Sequence, residues 1–323
     1  MFKKYLRLFN EEDFSYAIYS KFTDKEWSLF LQCFKDIFRE IKKETFQWYF
    51  DKNNTFTILK NNKNEYIGIY GLLEINLNFL GKNIKSYLCH NVGILNQYSG
   101  KGLFQYIGDK SLSLILNDNN LALGFPNKAS RKGHLRLGWE NLGNMHFISL
   151  KNKTYDNELD KQFTFLEVDN FENMDIEKFN KQFSLNLNKD ANYLNWRTSK
   201  PNTTYSKYLI KNNNSIVGYA IYKIFEDGIK KLHLVDYNFQ NLRVLDEIIK
   251  FSMLKFKKSD CELINTWVVE YSIFEKQFQS FGFDDDKELP SYPIILFQSK
   301  NNFDISQVEK SRIFFTLFDN DVF

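Results

Sequence analysis

The chain has 323 residues, 26% charged and 43% apolar, with 43 basic against 40 acidic side chains and a net charge of +3. That composition excludes a disordered chain, and the near balance of charge leaves no basic footprint, so no nucleic-acid partner is expected. The cysteines Cys33, Cys89 and Cys261 are far apart and form no CxxC pair, which argues against a structural zinc site and a disulfide framework and predicts a metal-free protein of a reduced, cytoplasmic compartment.

The N-terminal MFKKYLRLFNEEDF has two lysines and an apolar stretch too short for a signal segment. The longest apolar stretch, 66–80, is broken by Glu74, Asn76 and Asn78 and cannot span a bilayer. Residues 4–10 read as a first strand. Asp24 is a candidate N-cap for an amphipathic helix over 27–41, with apolar residues at helical spacing. Residues 56–60 and 66–79 alternate as strands around the turn NNKNE, and 84–95 is a third. The loop QYSGKG follows, then a helix over 103–116, a short strand over 121–125, a helix over 128–137 and a strand over 145–150. Residues 151–160, KNKTYDNELD, read as a linker.

The second half repeats this pattern loosely: a helix over 175–184, strands over 205–211 and 216–224 around NNNS, a strand over 231–237, a helix over 242–256, a strand over 263–269, a helix over 274–281 and a last strand over 294–297. The expected organisation is two domains of one α/β (α+β) type, 1–155 and 156–323, related by an internal repeat.

Glycine is scarce, 14 in the whole chain, so the pair in QYSGKGLF is informative. A glycine loop between a strand and a helix exposes backbone N–H groups at the positive end of the helix dipole, which suits a phosphate. A P-loop would need glycine where Leu95 stands and Ser or Thr where Gly102 stands. A dinucleotide turn would need glycine at Gln105.

The loop that fits is the pyrophosphate loop of the GNAT (Gcn5-related N-acetyltransferase) superfamily, [QR]xxGx[GA] between the fourth strand and the next helix, and the chain resembles that superfamily. QYSGKG matches from Gln97 to Gly102. In a second register, favoured by the form GKGLF, Ser99 opens the loop, Gly102 is its central glycine and Phe104 takes the place of a small residue. Downstream, Asn127 is followed by Ser130, His134, Gly138 and Trp139, at the spacing of the family's N-x-x-A-x-x-x-Y-x-x-x-G-[FW].

The resemblance implies two domains, each a twisted, mostly antiparallel mixed sheet flanked by helices. It implies acetyl-CoA as co-substrate, bound by Ile94, Leu95, Asn96, Ser99, Gly100, Lys101, Gly102, Leu103, Phe104, Asn127 and Ser130. His134 falls where the family has the tyrosine that reprotonates the CoA thiolate. His90, placed by strand alternation on one face with Val92 and Ile94, and Glu74 are candidate bases. Trp48 and Tyr49 in FQWYFDKN are candidate stacking residues for a sugar, and Arg197 in YLNWRTSKP a candidate anchor for an anionic acceptor.

In the second half the phosphate loop is replaced by LVDYNFQNLRVLDEII, which has no glycine and places Asp236 against a phosphate. The implied reaction is acyl transfer to a small-molecule amine, an amino sugar of a bacterial surface polysaccharide being the expected acceptor. Two other readings stand beside it: an aminoacyl-tRNA-dependent transferase of the Fem-like kind, and a non-catalytic CoA sensor.

Overall fold

The computed structural model describes residues 8–320 apart from 36, 38–41, 117–118, 156–157, 173, 175–176 and 300–301. The chain forms two compact units interleaved in sequence: Met1–Ile75, Ile84–Leu142 and Tyr292–Asp304 in unit 1, and Asn76–Asn83, Gly143–Ser291 and Ile305–Phe323 in unit 2. Against the expected break at 155, the segment 143–155 groups with unit 2.

In chain order the elements are β1 (Phe14–Tyr19), α1 (Asp24–Phe34), α2 (Lys43–Phe50), β2 (Asn54–Asn61), β3 (Tyr66–Phe79), β4 (Lys82–Ile94), α3 (Leu103–Leu112), β5 (Leu121–Gly124), α4 (Lys128–Arg136), β6 (Glu140–Leu150) and β7 (Phe163–Glu167). There follow α5 (Glu177–Asn180), β8 (Leu185–Leu187), α6 (Ala191–Thr198), β9 (Ser206–Asn212), β10 (Ser215–Asp227), β11 (Ile229–Phe239), α7 (Leu242–Lys258), β12 (Leu263–Val269), α8 (Ile273–Ser280), β13 (Asp284–Asp285), β14 (Tyr292–Gln298) and β15 (Ile313–Phe314). Among the described residues no helix is long and apolar enough to cross a membrane.

In unit 1 the sheet order is β1-β2-β3-β4-β5-β14. β1, β2 and β3 are antiparallel neighbours, β4 and β5 are parallel, and β14 returns antiparallel to β5. Phe22, Trp27, Phe30, Phe46 and Phe56 fill the face under α1 and α2, and Leu103, Tyr106, Ile107, Tyr70 and Trp139 fill the face under α3 and α4. Helices cover both faces of the sheet at β3, so β3 is buried along most of its length rather than alternating.

Several local expectations change. Residues 4–7 of the expected first strand lie outside the described residues; the observed first strand is β1, because Asn10 accepts from the Glu12 N–H and caps a tight turn over Glu11–Asp13. Helix α1 is capped by Thr23, not Asp24. The Glu26 N–H donates to Thr23 Oγ1 and the Thr23 N–H to Glu26 Oε2, a reciprocal capping box. It ends at Phe34; residues 36 and 38–41 of the longer expected helix lie outside the described residues. Helix α2 has no side-chain cap and only two turns, so its aromatic run gave no helical signal. Helix α3 ends at Leu112, where Ser111 and Ser113 hydroxyls bond the Ile107 and Lys110 carbonyls. Of the helix expected over 175–184, residues 175–176 lie outside the described residues and α5 covers only Glu177–Asn180.

In unit 2, β7, β9, β10 and β11 form an antiparallel series, and β12 runs parallel to β11 after the crossover α7. Three antiparallel strands, a helix and a parallel strand are the same sequence of pairings that β2, β3, β4, α3 and β5 make in unit 1. The interior of unit 2 holds a charged cluster. Lys189 Nζ lies 2.7 Å from Asp236 Oδ1 and 2.9 Å from Asp319 Oδ1, and donates to Thr316 Oγ1. Tyr219 donates to the other Asp236 oxygen. Burial opposes the charge on Lys189, but the two carboxylates outweigh it and hold its pKa above the usual lysine range.

Asp236 is thus an internal ion-pair partner. Arg197 is 2% exposed and gives Nη2 to the carbonyls of Phe318 and Asn320 at 2.8 and 2.7 Å. It therefore ties down the C-terminal segment, which corrects its expected place in an acceptor cleft.

Lys189→Met would leave two buried carboxylates without their cation. We expect unfolding free energy to fall by about 3–5 kcal/mol, read from urea midpoints; an unchanged midpoint would show that the cluster is not coupled to folding.

Candidate functional site

The site in unit 1 is set by where two parallel strands part. β4 and β5 pair from Ser86–Leu121 to Cys89–Gly124 and no further. β5 stops there and turns through Phe125 and Pro126 to the N-cap of α4, while β4 continues to Ile94. The chain then makes one 3₁₀ turn over Asn96–Tyr98, passes Ser99 and enters α3.

Gly100 and Gly102 have φ of +79° and +90°. Those values are strained for any residue with a Cβ, which is why glycine stands at both. Gly102 is the N-cap of α3 and supplies no side-chain cap. The Tyr106 N–H is the first to bond back, to the Gly102 carbonyl, so the N–H groups of Leu103, Phe104 and Gln105 point out of the helix end, as any uncapped first turn leaves them. Ser99, Gly100 and Lys101 are exposed, while Ile94 and Leu95 pack into the core under α3. What these two offer a ligand is backbone.

The loop is tethered in part by Asn61 and Tyr98, which the sequence did not single out. Asn61 Nδ2 donates to the Tyr98 hydroxyl at 3.0 Å, while its Oδ1 accepts the N–H groups of Lys63 and Glu65 in the β2–β3 turn. The Leu95 N–H bonds the Ile67 carbonyl, and Lys101 lies 5.6 Å from the Tyr98 ring centroid.

Helix α4 begins with Asn127 and Ser130 acting together. Asn127 Oδ1 accepts from the N–H groups of Ala129 and Ser130 and from the Ser130 hydroxyl. The motif spacing is therefore also a capping motif. His134, one turn on, is only 2% exposed. Its Nδ1 lies 3.3 Å from the Tyr70 hydroxyl, and its ring packs against Phe104 and Trp139 at 5.2 and 5.1 Å. Burial lowers the His134 pKa to about 3 and raises that of Tyr70 well above its ordinary value. The imidazole is therefore neutral at neutral pH. Phe104 turns onto α4 because Gly133 leaves the space; a Cβ at Gly133 would sit 2.4 Å from the Phe104 ring.

Alternation would put His90, Val92 and Ile94 on one face, and the structure corrects this. Asn91, three residues before the end of β4, has φ of +47° and interrupts the pleat as a bulge does. His90 packs against Tyr49 and Phe56 on the α1–α2 side, at 4.7 and 5.3 Å. Val92 and Ile94 pack on the α3 side. Asparagine is among the few non-glycine residues that tolerate this backbone, and an asparagine inside an apolar strand was the available signal.

The other candidates are dispersed. Glu74 makes a half-exposed ion pair with Lys85 at 2.9 Å. Trp48 and Tyr49 are 4% and 3% exposed on α2; their faces are covered by protein, which corrects the expected open stacking surface. Among the described residues no group of three or more His, Cys, Asp or Glu is arranged to hold a metal ion.

Unit 2 parts its strands in the same way: β11 and β12 pair from Lys231–Leu263 to His233–Asn265 and no further. There, however, the helix end is closed, because the Asn241 side chain accepts from the Val244 N–H. A surface cavity of about 450 Å³ in unit 2 is lined by the carboxylates of Asp284, Asp285, Asp286 and Glu288 against the two lysines Lys151 and Lys287, a net negative lining that does not suit a phosphate.

No family model matches the sequence, and no curated protein does. Solved structures do match. A GCN5-related N-acetyltransferase from Anabaena variabilis superposes with a TM-score of 0.69 at 13% identity, over 89% of this chain and 73% of that one. A probable N-acyltransferase from Enterococcus faecalis gives 0.66 at 11% identity, over 88% and 73%. Saccharomyces cerevisiae N-myristoyltransferase with bound myristoyl-CoA gives 0.57 at 10% identity, over 94% and 90%. The fold of this chain is that of the GCN5-related N-acetyltransferases.

The depressed His134 pKa carries a pH signature. The unfolded ring takes up a proton near the ordinary histidine value of 6.5 and the folded ring near 3, so stability attributable to this group is full above the higher value and declines as pH falls toward the lower. The slope is about 1.4 kcal/mol per pH unit. We expect His134→Phe to flatten the stability profile between pH 6 and 4 relative to the unaltered chain, measured by denaturant unfolding.

Proposed function

We propose that the chain is an acyltransferase of the GNAT superfamily that binds an acyl-CoA in unit 1 and passes its acyl group to an amine. One observation carries the reading: the parting of β4 from β5 ends in a left-handed glycine cap whose helix end has no side-chain acceptor, while the matching helix end of unit 2 is capped.

In this reading the pyrophosphate lies on the N–H groups at the start of α3. The left-handed cap at Gly102 supports the register in which Ser99 opens the loop. Phe104 is accommodated there because its ring turns away onto Gly133. The pantetheine arm runs along the open edge of β4 past Leu95 and Ile94, where peptide N–H groups are the available donors for the thioester oxygen.

The amine nitrogen attacks the thioester carbon, the tetrahedral intermediate collapses with breaking of the C–S bond, and the proton that the nitrogen releases to solvent is balanced by one that the departing thiolate takes up from solvent. His134 stands at the position of the family's acid. Tyr70 retains its proton and donates to Nδ1, which leaves the ring proton on Nε2. His134 then acts as a neutral hydrogen-bond donor to the departing sulfur rather than as an imidazolium.

The amino-sugar acceptor and acetyl as the acyl group rest on the sequence resemblance alone. The likeness to a structure holding myristoyl-CoA makes chain length part of the test. A net charge of +3 lends no support to a tRNA substrate.

Calorimetric titration with acetyl-CoA, myristoyl-CoA, CoA and tRNA tests the proposal. We expect saturable binding of CoA species at one site per chain, none of tRNA, and affinity at least about tenfold weaker in Gly102→Val, whose Cβ opposes the left-handed cap. Absence of heat with every CoA species would overturn it.

A further inference from the structure

We propose that His90, Asn91 and Asn54 form a clamp that fixes the β4 bulge and thereby aims the peptide groups presented to the acyl thioester; the inference rests on the acyl-CoA reading above.

His90 is the first residue of β4 beyond its last pair with β5, and so stands at the root of the opening. Asn91 follows it in the left-handed conformation, at φ of +47°. Asn91 Nδ2 donates to His90 Nδ1 at 2.7 Å. With Nδ1 accepting, the neutral ring carries its proton on Nε2, which donates to Asn54 Oδ1 at 2.9 Å. Both ring nitrogens are engaged within the protein, which removes His90 as the general base and makes it a positioning residue. Gly71 clears its seat: a Cβ there would lie 3.0 Å from His90 Nε2 and 2.6 Å from the His90 carbonyl oxygen.

The clamp is a poor device for stability. Asn54 and His90 are 2% and 3% exposed, and Asn54 Nδ2 has no acceptor among the described residues. A buried donor left without an acceptor destabilises the fold. The surroundings are the aromatic faces of Tyr49 and Phe56, against which an apolar ring would pack as well. A polar set that costs stability, attached to a strained residue at the opening of the strands, is explained by what it holds in place. Were Asn91 to relax to the extended form, alternation would be restored and Val92, Gly93 and Ile94 would each turn to the opposite face.

The test uses the full chain and acetyl-CoA as the probe. Three quantities are read for the double variant His90→Phe/Asn54→Leu, which leaves neither partner of the buried bond alone: melting temperature, acetyl-CoA affinity by calorimetry, and single-turnover acetyl-CoA hydrolysis followed as released thiol, with water as acceptor. The expected result is a melting temperature equal to or above that of the unaltered chain, affinity within about twofold, and a turnover rate lower by about tenfold to a hundredfold.

Asn91→Gly keeps the left-handed backbone and removes only the clamping amide, so it carries the same expectation if the phenylalanine variant does not fold. Unaltered turnover in a folded variant with normal affinity would overturn the clamp. So would turnover and affinity falling in step, which would mark a plain binding role. A flat isotherm for the unaltered chain would instead contradict the acyl-CoA reading and the clamp with it.

Discussion

The site depends on one constraint, that β4 must keep its pairing with β3 while losing its pairing with β5. Parallel strands stay together only while both edges run straight. Here β5 ends at Gly124 and turns into the Asn127 cap, while Asn91 bends β4 just beyond its last pair. The edge so exposed has peptide groups with no strand to receive them. Unsatisfied backbone in a folded protein needs a partner, and a ligand with amides of its own, laid along β4, is a suitable one.

The two units show how little separates such a site from its absence. Both have the antiparallel series, the crossover helix, the parallel strand and the opening. In unit 1 the crossover helix starts at a left-handed glycine with no side chain to cap it; in unit 2 it starts at Asn241, whose side chain takes the N–H that an anion would need. In unit 2, Asp236 lies beyond the last β11–β12 pair and belongs to the buried ion cluster with Lys189 and Asp319. On the acyl-CoA reading proposed above, the same backbone serves ligand capture in one case, while in the other it carries internal charge pairing.

Much of this was legible in the sequence. Strands β3, β4, β5, β12 and the helices α3, α4 and α7 have strong period or clear punctuation, and the glycine pair marked the loop. What the sequence hid has physical reasons. Burial of His134 and its lowered pKa come from Phe104 and Trp139, which meet only in three dimensions. Trp48 and Tyr49 look available because aromatic residues look alike whether buried or exposed. The bulge at Asn91 reverses side-chain alternation with a single residue, so correct strand boundaries still misplace His90. Asn61 and Tyr98, which tether the loop, are 37 residues apart and carry no motif.

The claim that unit 1 alone carries the phosphate-binding helix end is most directly tested by amide hydrogen exchange with and without CoA. The account predicts slowed exchange at residues 99–105 on addition of CoA and no change at 241–245. Protection at 241–245, or equal protection at both, would contradict it.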